Sequence, residues 1–191
     1  MQQLAKKRND TIDVDGIFPE ILEIADKELA DAPRPTWQEI WSLSHWDDVE
    51  KIMVSPEIKY PNRPHSQCVV AMALQIADSF EKFHGVKVNR DHLISAAILQ
   101  DASKVIEYEP DEDGATRISK SGRMYPHAFM AAQIGIKHNL PDEVIHAIIF
   151  HTPQAAKFPA TIEGKILYYV DQLDVIAIHG DRWRKDLYIT K

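Results

Sequence analysis

Apolar residues recur at helical spacing along most of the chain, and prolines or charged stretches separate the periodic segments. The pattern predicts helices over about residues 17–30, 36–54, 65–84, 89–108, 126–138, 141–151 and 162–179. Thr36 followed by Glu39 has the form of a capping box, and Pro141 before two acidic residues is typical of a first helical turn. The pattern therefore predicts an all-α fold, a bundle of about six to eight helices.

The segment 109–123 differs from the rest of the chain. Its sequence, EPDEDGATRISKSGR, is charged, contains two glycines and has no apolar period. Such a composition predicts a loop between two helices. The run from Arg117 to Ser119 is too short to predict a strand.

Three prolines between residues 56 and 64 predict a rigid connection. We therefore divide the chain into an N-terminal helical extension, residues 1–55, and a helical domain, residues 56–191. Trp37 and Trp41 of the extension are at helical spacing, so we expect them to pack on the core. A dimer interface and a wall of a substrate site are the alternatives, and a homo-oligomer therefore stays open.

Length and charge narrow the function classes. A chain of 191 residues fits one domain with a short extension, and its net charge of −7 disfavours nucleic acid as a partner. No stretch approaches the roughly 18 apolar residues of a membrane span, and no apolar signal segment begins the chain, so we expect a cytoplasmic protein without a membrane partner. The single cysteine, Cys68, excludes an internal disulfide.

Five of the ionisable residues share a face with apolar residues on the predicted helices: His65, Asp101, His127, His151 and Asp171. Burying such groups without partners costs several kcal/mol each. A core histidine bonded to a carbonyl would explain any one of them. Three imidazoles with two carboxylates, and Lys104 as their nearby cation, instead favour one or two divalent metals, because neutral histidine and ionised aspartate are metal ligands.

These residues also carry a resemblance to a known family. The order of elements resembles the HD-domain superfamily of metal-dependent phosphohydrolases and related oxygenases. The matching segments are RPHS (63–66), AILQDASK (97–104), PHA (126–128), LPDEV (140–144), FH (150–151) and YVDQLD (169–174). The resemblance covers about residues 60–178 and implies iron, manganese, cobalt or nickel as the metal.

One position departs from the family's pattern, because Gln100 stands where the family has the histidine of its His-Asp pair. The resemblance implies a first metal site of four residues: His65, Gln100, Asp101 and Asp171. It implies a second site formed by Asp101, His127 and His151, which has the composition of a facial triad. An amide oxygen is a poorer ligand for a transition metal than imidazole, so we predict that the second site holds its metal more firmly.

The resemblance and the residues together predict a hydrolase that acts on a small, phosphorylated substrate through metal-activated water. Asp101 is then catalytic, and Lys104 supplies positive charge to the substrate anion, forms an ion pair with Asp101 or is a solvated helix residue. Three further cations of the 109–123 segment are candidates for substrate binding by a closing loop: Arg117, Lys120 and Arg123.

Two alternatives remain at the level of the sequence. The first is an iron oxygenase of the same superfamily that cleaves a small organic or phosphonate substrate. The second is a non-catalytic relative that keeps the fold and binds a ligand. Gln100 is the main argument for the second alternative, and the five retained positions argue against it.

Overall fold

The structure is a computed structural model, and it describes residues 11–179. The helices are α1 (Val14–Ile17), α2 (Lys27–Ala30), α3 (Pro33–Ser42), α4 (Asn62–His84), α5 (Arg90–Leu99), α6 (Lys104–Glu107), α7 (His127–Lys137), α8 (Asp142–Phe150) and α9 (Ile162–His179). Turns of 3-10 helix cover Pro19–Glu23 and Val49–Lys51, and one two-stranded sheet joins β1 (Tyr108–Pro110) to β2 (Thr116–Ile118). Six of the described helices have nine residues or more, which confirms the predicted helical fold.

The core lies where five helices meet. Helix α4 packs against α5 and α9, and α8 packs against α5, α7 and α9. Small residues such as Ala73 and Ala97 let these helices approach closely, while Ile148 and Leu167 fill the space between them and are fully buried. This packing aligns the ends of several helices around one interior position.

The prediction of one helix over residues 17–30 is wrong, because this segment forms α1, a 3-10 turn and α2 instead. Pro19 opens the 3-10 turn and has no backbone N–H to continue α1. Asp26 then starts α2, since its side chain accepts hydrogen bonds from the N–H groups of Glu28 and Leu29. Local capping therefore overrides the apolar period in this segment.

The helix predicted over residues 36–54 has different bounds, since α3 begins at Pro33 and ends at Ser42. Proline is tolerated in a first helical turn because the N–H groups there have no helical partner. Thr36 is consequently inside the helix, where its hydroxyl donates to the carbonyl of Ala32 at 2.7 Å, and the predicted capping box is wrong.

The helix predicted over residues 89–108 is interrupted in its second half. The side chain of Asn89 caps its start, but α5 ends at Leu99 and a turn leads to the short helix α6. The end of α5 leaves carbonyl groups without helical partners. The indole N–H of Trp37 donates to one of them, the carbonyl of Ile98, at 3.1 Å. Asp101 consequently lies in a turn rather than within a helix.

The loop predicted over residues 109–123 contains a short β-hairpin, and here the prediction is wrong in part. Tyr108 pairs with Ile118 in an antiparallel register of three residue pairs. The side chain of Asp111 accepts hydrogen bonds from the N–H of Ala115, and Gly114 takes the positive φ of 79° that closes the turn. These turn contacts allow a strand that is too short to show an apolar period.

The N-terminal segment shares the core of the helical domain. Trp37 and Trp41 are both buried, as predicted, and the indole N–H of Trp46 donates to the carbonyl of Tyr108 at 2.9 Å. The buried residues from Ile12 onward belong to the same apolar cluster as those of α4 and α5. The division at residue 55 stays a prediction.

Among the described helices, none combines the length and the apolar character that a bilayer-spanning segment needs.

Candidate metal centre

Asp101 lies at the centre of the cluster, and its two carboxylate oxygens face different partners. Oδ2 is 3.2 Å from Nε2 of His65. Oδ1 is 3.3 Å from Nε2 of His127 and 3.8 Å from Nε2 of His151. The turn after α5 thus gives each oxygen its own set of imidazole neighbours.

The cluster forms two groups of three candidate metal ligands that share Asp101. One group adds His65 and Asp171, whose Nε2 and Oδ1 atoms are 3.2 Å apart. The other adds His127 and His151, whose Nε2 atoms are 3.4 Å apart. Within each group the ligand atoms lie within 4.8 Å of one another. The five charged or imidazole residues that the sequence predicted as ligands are therefore brought together.

Each of the three imidazoles is held at its other nitrogen, Nδ1. The partner is a carboxylate oxygen of Asp174 for His65, at 2.7 Å, and of Glu107 for His127, at 2.9 Å. For His151 it is the carbonyl of Ile148, at 2.7 Å. These oxygens only accept hydrogen bonds, so each Nδ1 carries a proton and each ring turns its Nε2 toward Asp101.

Sequence reasoning assigned no role to Glu107 or Asp174. Asp174 stands three residues after Asp171 on α9, so helical spacing places both on one face, and this signal was available. On one continuous helix Glu107 would point away from Asp101, because six residues turn the chain by about 240° beyond one full turn. The break after Leu99 brings it back toward the cluster.

Negative charge dominates the buried cluster. Four carboxyl groups meet there: Asp101, Glu107, Asp171 and Asp174. Among the described residues of the cluster, Lys104 contributes positive charge against these carboxyl groups, and its Nζ lies 2.8 Å from Oδ2 of Asp101. Such an excess of buried negative charge requires positive charge to balance it, and bound divalent metals would supply that charge.

The ionisation of the central groups follows from these contacts. Burial raises the pKa of Asp101, but the ammonium of Lys104 and the nearby imidazoles of His151 and His65 outweigh burial and hold that pKa well below its ordinary value. Burial lowers the pKa of His65, but hydrogen bonds to Asp101 and two further aspartates raise it well above the ordinary value. In the metal-free cluster, a proton on His65 therefore supplies part of the positive charge that balances the carboxylates.

One atom tests directly whether the residues fit a metal. Oδ1 of Asp101 is buried and has no hydrogen-bond partner in the described chain, although two imidazole nitrogens face it. A buried carboxylate oxygen left without a donor is costly. A divalent cation between Oδ1 and the two Nε2 atoms would satisfy all three, so the donor set fits a metal.

Gln100 is completely buried, and neither its amide nitrogen nor its amide oxygen has a hydrogen-bond partner within residues 11–179. Its role as a metal ligand stays a prediction. The amide would be an additional oxygen donor beside Asp101 in the chain.

The predicted cations occupy two kinds of environment. Lys104 is buried against Asp101, which is the ion-pair alternative of the sequence prediction. Arg117 donates to Glu109 across the hairpin, and Arg123 donates to the carbonyl of Ile118. Both arginines and Lys120 are exposed, and their role in substrate binding stays a prediction.

A helical bundle that buries two overlapping groups of histidine and aspartate defines a helical metal-binding domain. Residues 63–176 match the HD domain family, and the chain belongs to this family. The resemblance on the sequence is thereby confirmed.

The chain is also similar to a curated protein of Methanocaldococcus jannaschii, named as dihydroneopterin 2′,3′-cyclic phosphate phosphodiesterase. The two are 33% identical over 111 residues, which cover 58% of this chain and 44% of the relative. The match thus spans less than half of the relative's length. A search of solved structures found no match.

Proposed function

We propose that this protein is a metal-dependent phosphohydrolase that cleaves a small phosphoester with water. The observation that carries the proposal is the buried Oδ1 of Asp101, which has no hydrogen-bond partner in the described chain and faces Nε2 of His127 and His151. Two imidazoles and a carboxylate leave coordination positions open for water and substrate. A divalent metal held there lowers the pKa of its water and polarises a phosphoryl oxygen.

The chain's own residues prepare this chemistry. The ammonium of Lys104 keeps the Asp101 carboxylate ionised, because it lies 2.8 Å from Oδ2 in a buried environment. The same ammonium adds positive charge where a phosphate anion has to approach four carboxyl groups. Lys104 therefore serves both as the ion-pair partner of Asp101 and as a counter-charge for the substrate.

The two groups of ligands differ in strength in this proposal. Oδ1 of Asp101 has no competing donor in the described chain, whereas Oδ2 already accepts a hydrogen bond from Lys104. Gln100 also replaces an imidazole of the family's pattern by an amide in the group of His65. The group of His127 and His151 is therefore the tighter one.

Metal analysis of protein purified without chelator tests this order. We expect fewer metal equivalents after His127→Ala than after His65→Ala, because the first change removes a ligand of the tighter group. His84→Ala is the matched control, since it removes an exposed imidazole outside the cluster and leaves the metal content unchanged. The reverse order of the two variants contradicts the proposal.

The relative's name supports a phosphodiester substrate, and we propose 2′,3′-cyclic phosphates as the first class to examine. Chromatography would follow ring opening of nucleoside and pterin 2′,3′-cyclic phosphates with manganese, cobalt, nickel or iron, and would follow linear phosphomonoesters in parallel. Asp101→Asn should reduce the rate by at least roughly 100-fold, because it removes the shared anionic ligand. His84→Ala should retain the wild-type rate.

Other outcomes would refute the hydrolase. Oxygen uptake by the iron-loaded protein without cleavage of any phosphoester would place it with the oxygenases of the superfamily. The absence of both oxygen uptake and phosphoester cleavage would favour a non-catalytic ligand-binding protein. Cleavage that persists at full rate in Asp101→Asn would move the reaction away from this cluster.

A further inference from the structure

Glu107 makes two hydrogen bonds to one residue. Its Oε2 lies 2.9 Å from Nδ1 of His127, and its Oε1 accepts from the backbone N–H of His127 at 3.2 Å. A single carboxylate therefore binds both the ring and the backbone of His127, and this fixes the ring relative to the start of α7. Pro126 precedes this helix and provides no side-chain cap, so Glu107 also satisfies a helix N-terminal N–H.

The backbone of Glu107 is itself held by the hairpin segment. Its carbonyl accepts from the N–H of Ser119 at 2.9 Å. Gly122 lies so close that a Cβ there would stand 2.2 Å from the same carbonyl oxygen. On the other side, the hydroxyl of Ser103 donates to the carbonyl of His127. The segment 103–107 thus contacts His127 at three points.

His127 depends on these contacts more than the other two imidazoles do. The side chains of His65 and His151 are 1% and 2% exposed, so packing restrains them on all sides. The side chain of His127 is 16% exposed. A partly open ring has more rotational freedom, and hydrogen bonds must supply the restraint that packing does not.

We propose that Glu107 is the positioning residue of His127. It holds the neutral imidazole as the Nδ1–H tautomer and directs the lone pair of Nε2 toward Asp101 and His151. Asp174 has the corresponding place at His65 through one hydrogen bond, so the two carboxylates serve different groups of ligands. The inference deepens the proposed function, on whose metal centre it rests.

The test compares Glu107→Gln with Asp174→Asn, which are matched losses of one negative charge at the partners of different histidines. Glu112→Gln, which changes an exposed carboxylate in the hairpin turn, is the control. Nitrogen-15 NMR of the metal-free proteins at alkaline pH reports the tautomer of each ring. We expect Glu107→Gln to reduce the Nδ1–H population of His127 and to leave His65 and His151 unchanged.

Titration with cobalt or manganese gives the second measurement. Loss of an outer partner typically weakens metal binding by about 10–100-fold. Glu107→Gln should therefore weaken the group of His127 by that factor, and Asp174→Asn should weaken the group of His65. Glu107→Asp keeps the charge but cannot span both atoms of His127, so it should give the same direction of change should Glu107→Gln fail to fold.

The proposal is overturned by an unchanged His127 tautomer together with unchanged metal affinity. It is also overturned when Glu107→Gln weakens both groups equally and lowers the melting temperature of the metal-free protein, because that result describes a structural role alone. The NMR measurement needs neither metal nor substrate. A wild-type protein that cleaves no phosphoester would therefore refute the hydrolase and leave the assignment of Glu107 to be decided separately.

Discussion

At the scale of single residues, the three histidines of the centre are distinguished by what holds Nδ1. Two rings are held by carboxylates and one by the carbonyl of its own helix. A carboxylate partner makes the imidazole a stronger electron donor than a carbonyl partner does. Among the three imidazoles, His65 and His127 are therefore the stronger electron donors, and His151 is the weaker one.

Cys68 lies beside this arrangement, and its reactivity is predictable. Burial and a hydrogen bond to Asp174 raise the pKa of the thiol to about 11. Because the thiolate is the nucleophile, alkylation by iodoacetamide at pH about 8 should be roughly 100-fold slower than in the unfolded chain. Asp174→Asn removes the negative partner, so it should lower the pKa and accelerate alkylation. Equal rates in the folded and unfolded wild-type protein would contradict this expectation.

The residues of the centre show which signals the sequence contains. Helical periodicity placed His65, His127 and Asp171 on apolar faces, and the structure has them in the cluster. The place of Glu107 in the cluster was not predicted, because the predicted helix continued without a break to residue 108. Only the real end of α5 at Leu99, set by tertiary contacts, reorients the chain toward His127.

At the scale of elements, an ion-pair cluster joins α3 to the end of α7. Glu39 on α3 accepts hydrogen bonds from Lys137 at 2.6 Å and from His138 at 2.8 Å. Burial raises the pKa of Glu39, but these two partners outweigh burial and lower the pKa below its ordinary value. The contact attaches the N-terminal segment to a helix that carries a candidate ligand.

The pH dependence of this contact has a defined sign. The folded pKa of Glu39 is lowered, so its contribution is complete above the unfolded pKa and disappears as the pH falls through the folded pKa. Glu39→Gln should cost about 0.5–1 kcal/mol at neutral pH and almost nothing at strongly acid pH. Urea denaturation at both pH values measures the difference. Glu112→Gln, an exposed change in the hairpin turn, should cost nothing at either pH.

Element boundaries were the least predictable part of the fold. Helices α4, α7 and α8 lie close to their expected bounds, since long apolar periods and helix-start signals specify them. The N-terminal helices and the hairpin were mispredicted. Their bounds depend on prolines, aspartate caps and a pairing of three residues, and these features involve too few residues to change the helical period of apolar positions. Short elements of this kind depend on their neighbours in space rather than on their own sequence.

At the scale of the whole molecule, the N-terminal segment supports the candidate metal centre. The indole of Trp37 satisfies the carbonyl of Ile98, which lies three residues before Asp101. The indole of Trp46 does the same for Tyr108, which follows Glu107. Residues outside the HD match thus hold both ends of the turn and short helix that carry Asp101 and Glu107.

Trp37→Phe tests this support. The change leaves the buried carbonyl of Ile98 without its donor, so we expect a loss of about 1–3 kcal/mol in the free energy of unfolding. Metal affinity should fall as well, because the end of α5 positions Asp101. Phe83→Leu, which alters an aromatic ring that is 70% exposed, should change neither quantity. A loss of stability with unchanged metal affinity would contradict the proposed support, because it would show that the N-terminal segment does not affect the metal-binding residues.

The shared carboxylate of Asp101 has a thermodynamic consequence. Each group of ligands uses a different oxygen of one side chain, so an ion at either group changes the geometry and charge that the other group offers. Binding of an ion at both groups would therefore carry a coupling free energy, and reciprocity would require each ion to alter the affinity of the other by the same factor. At limiting metal supply, the fraction of protein with one ion would then differ from the value for two independent sites, and Asp101 would determine the size of the difference.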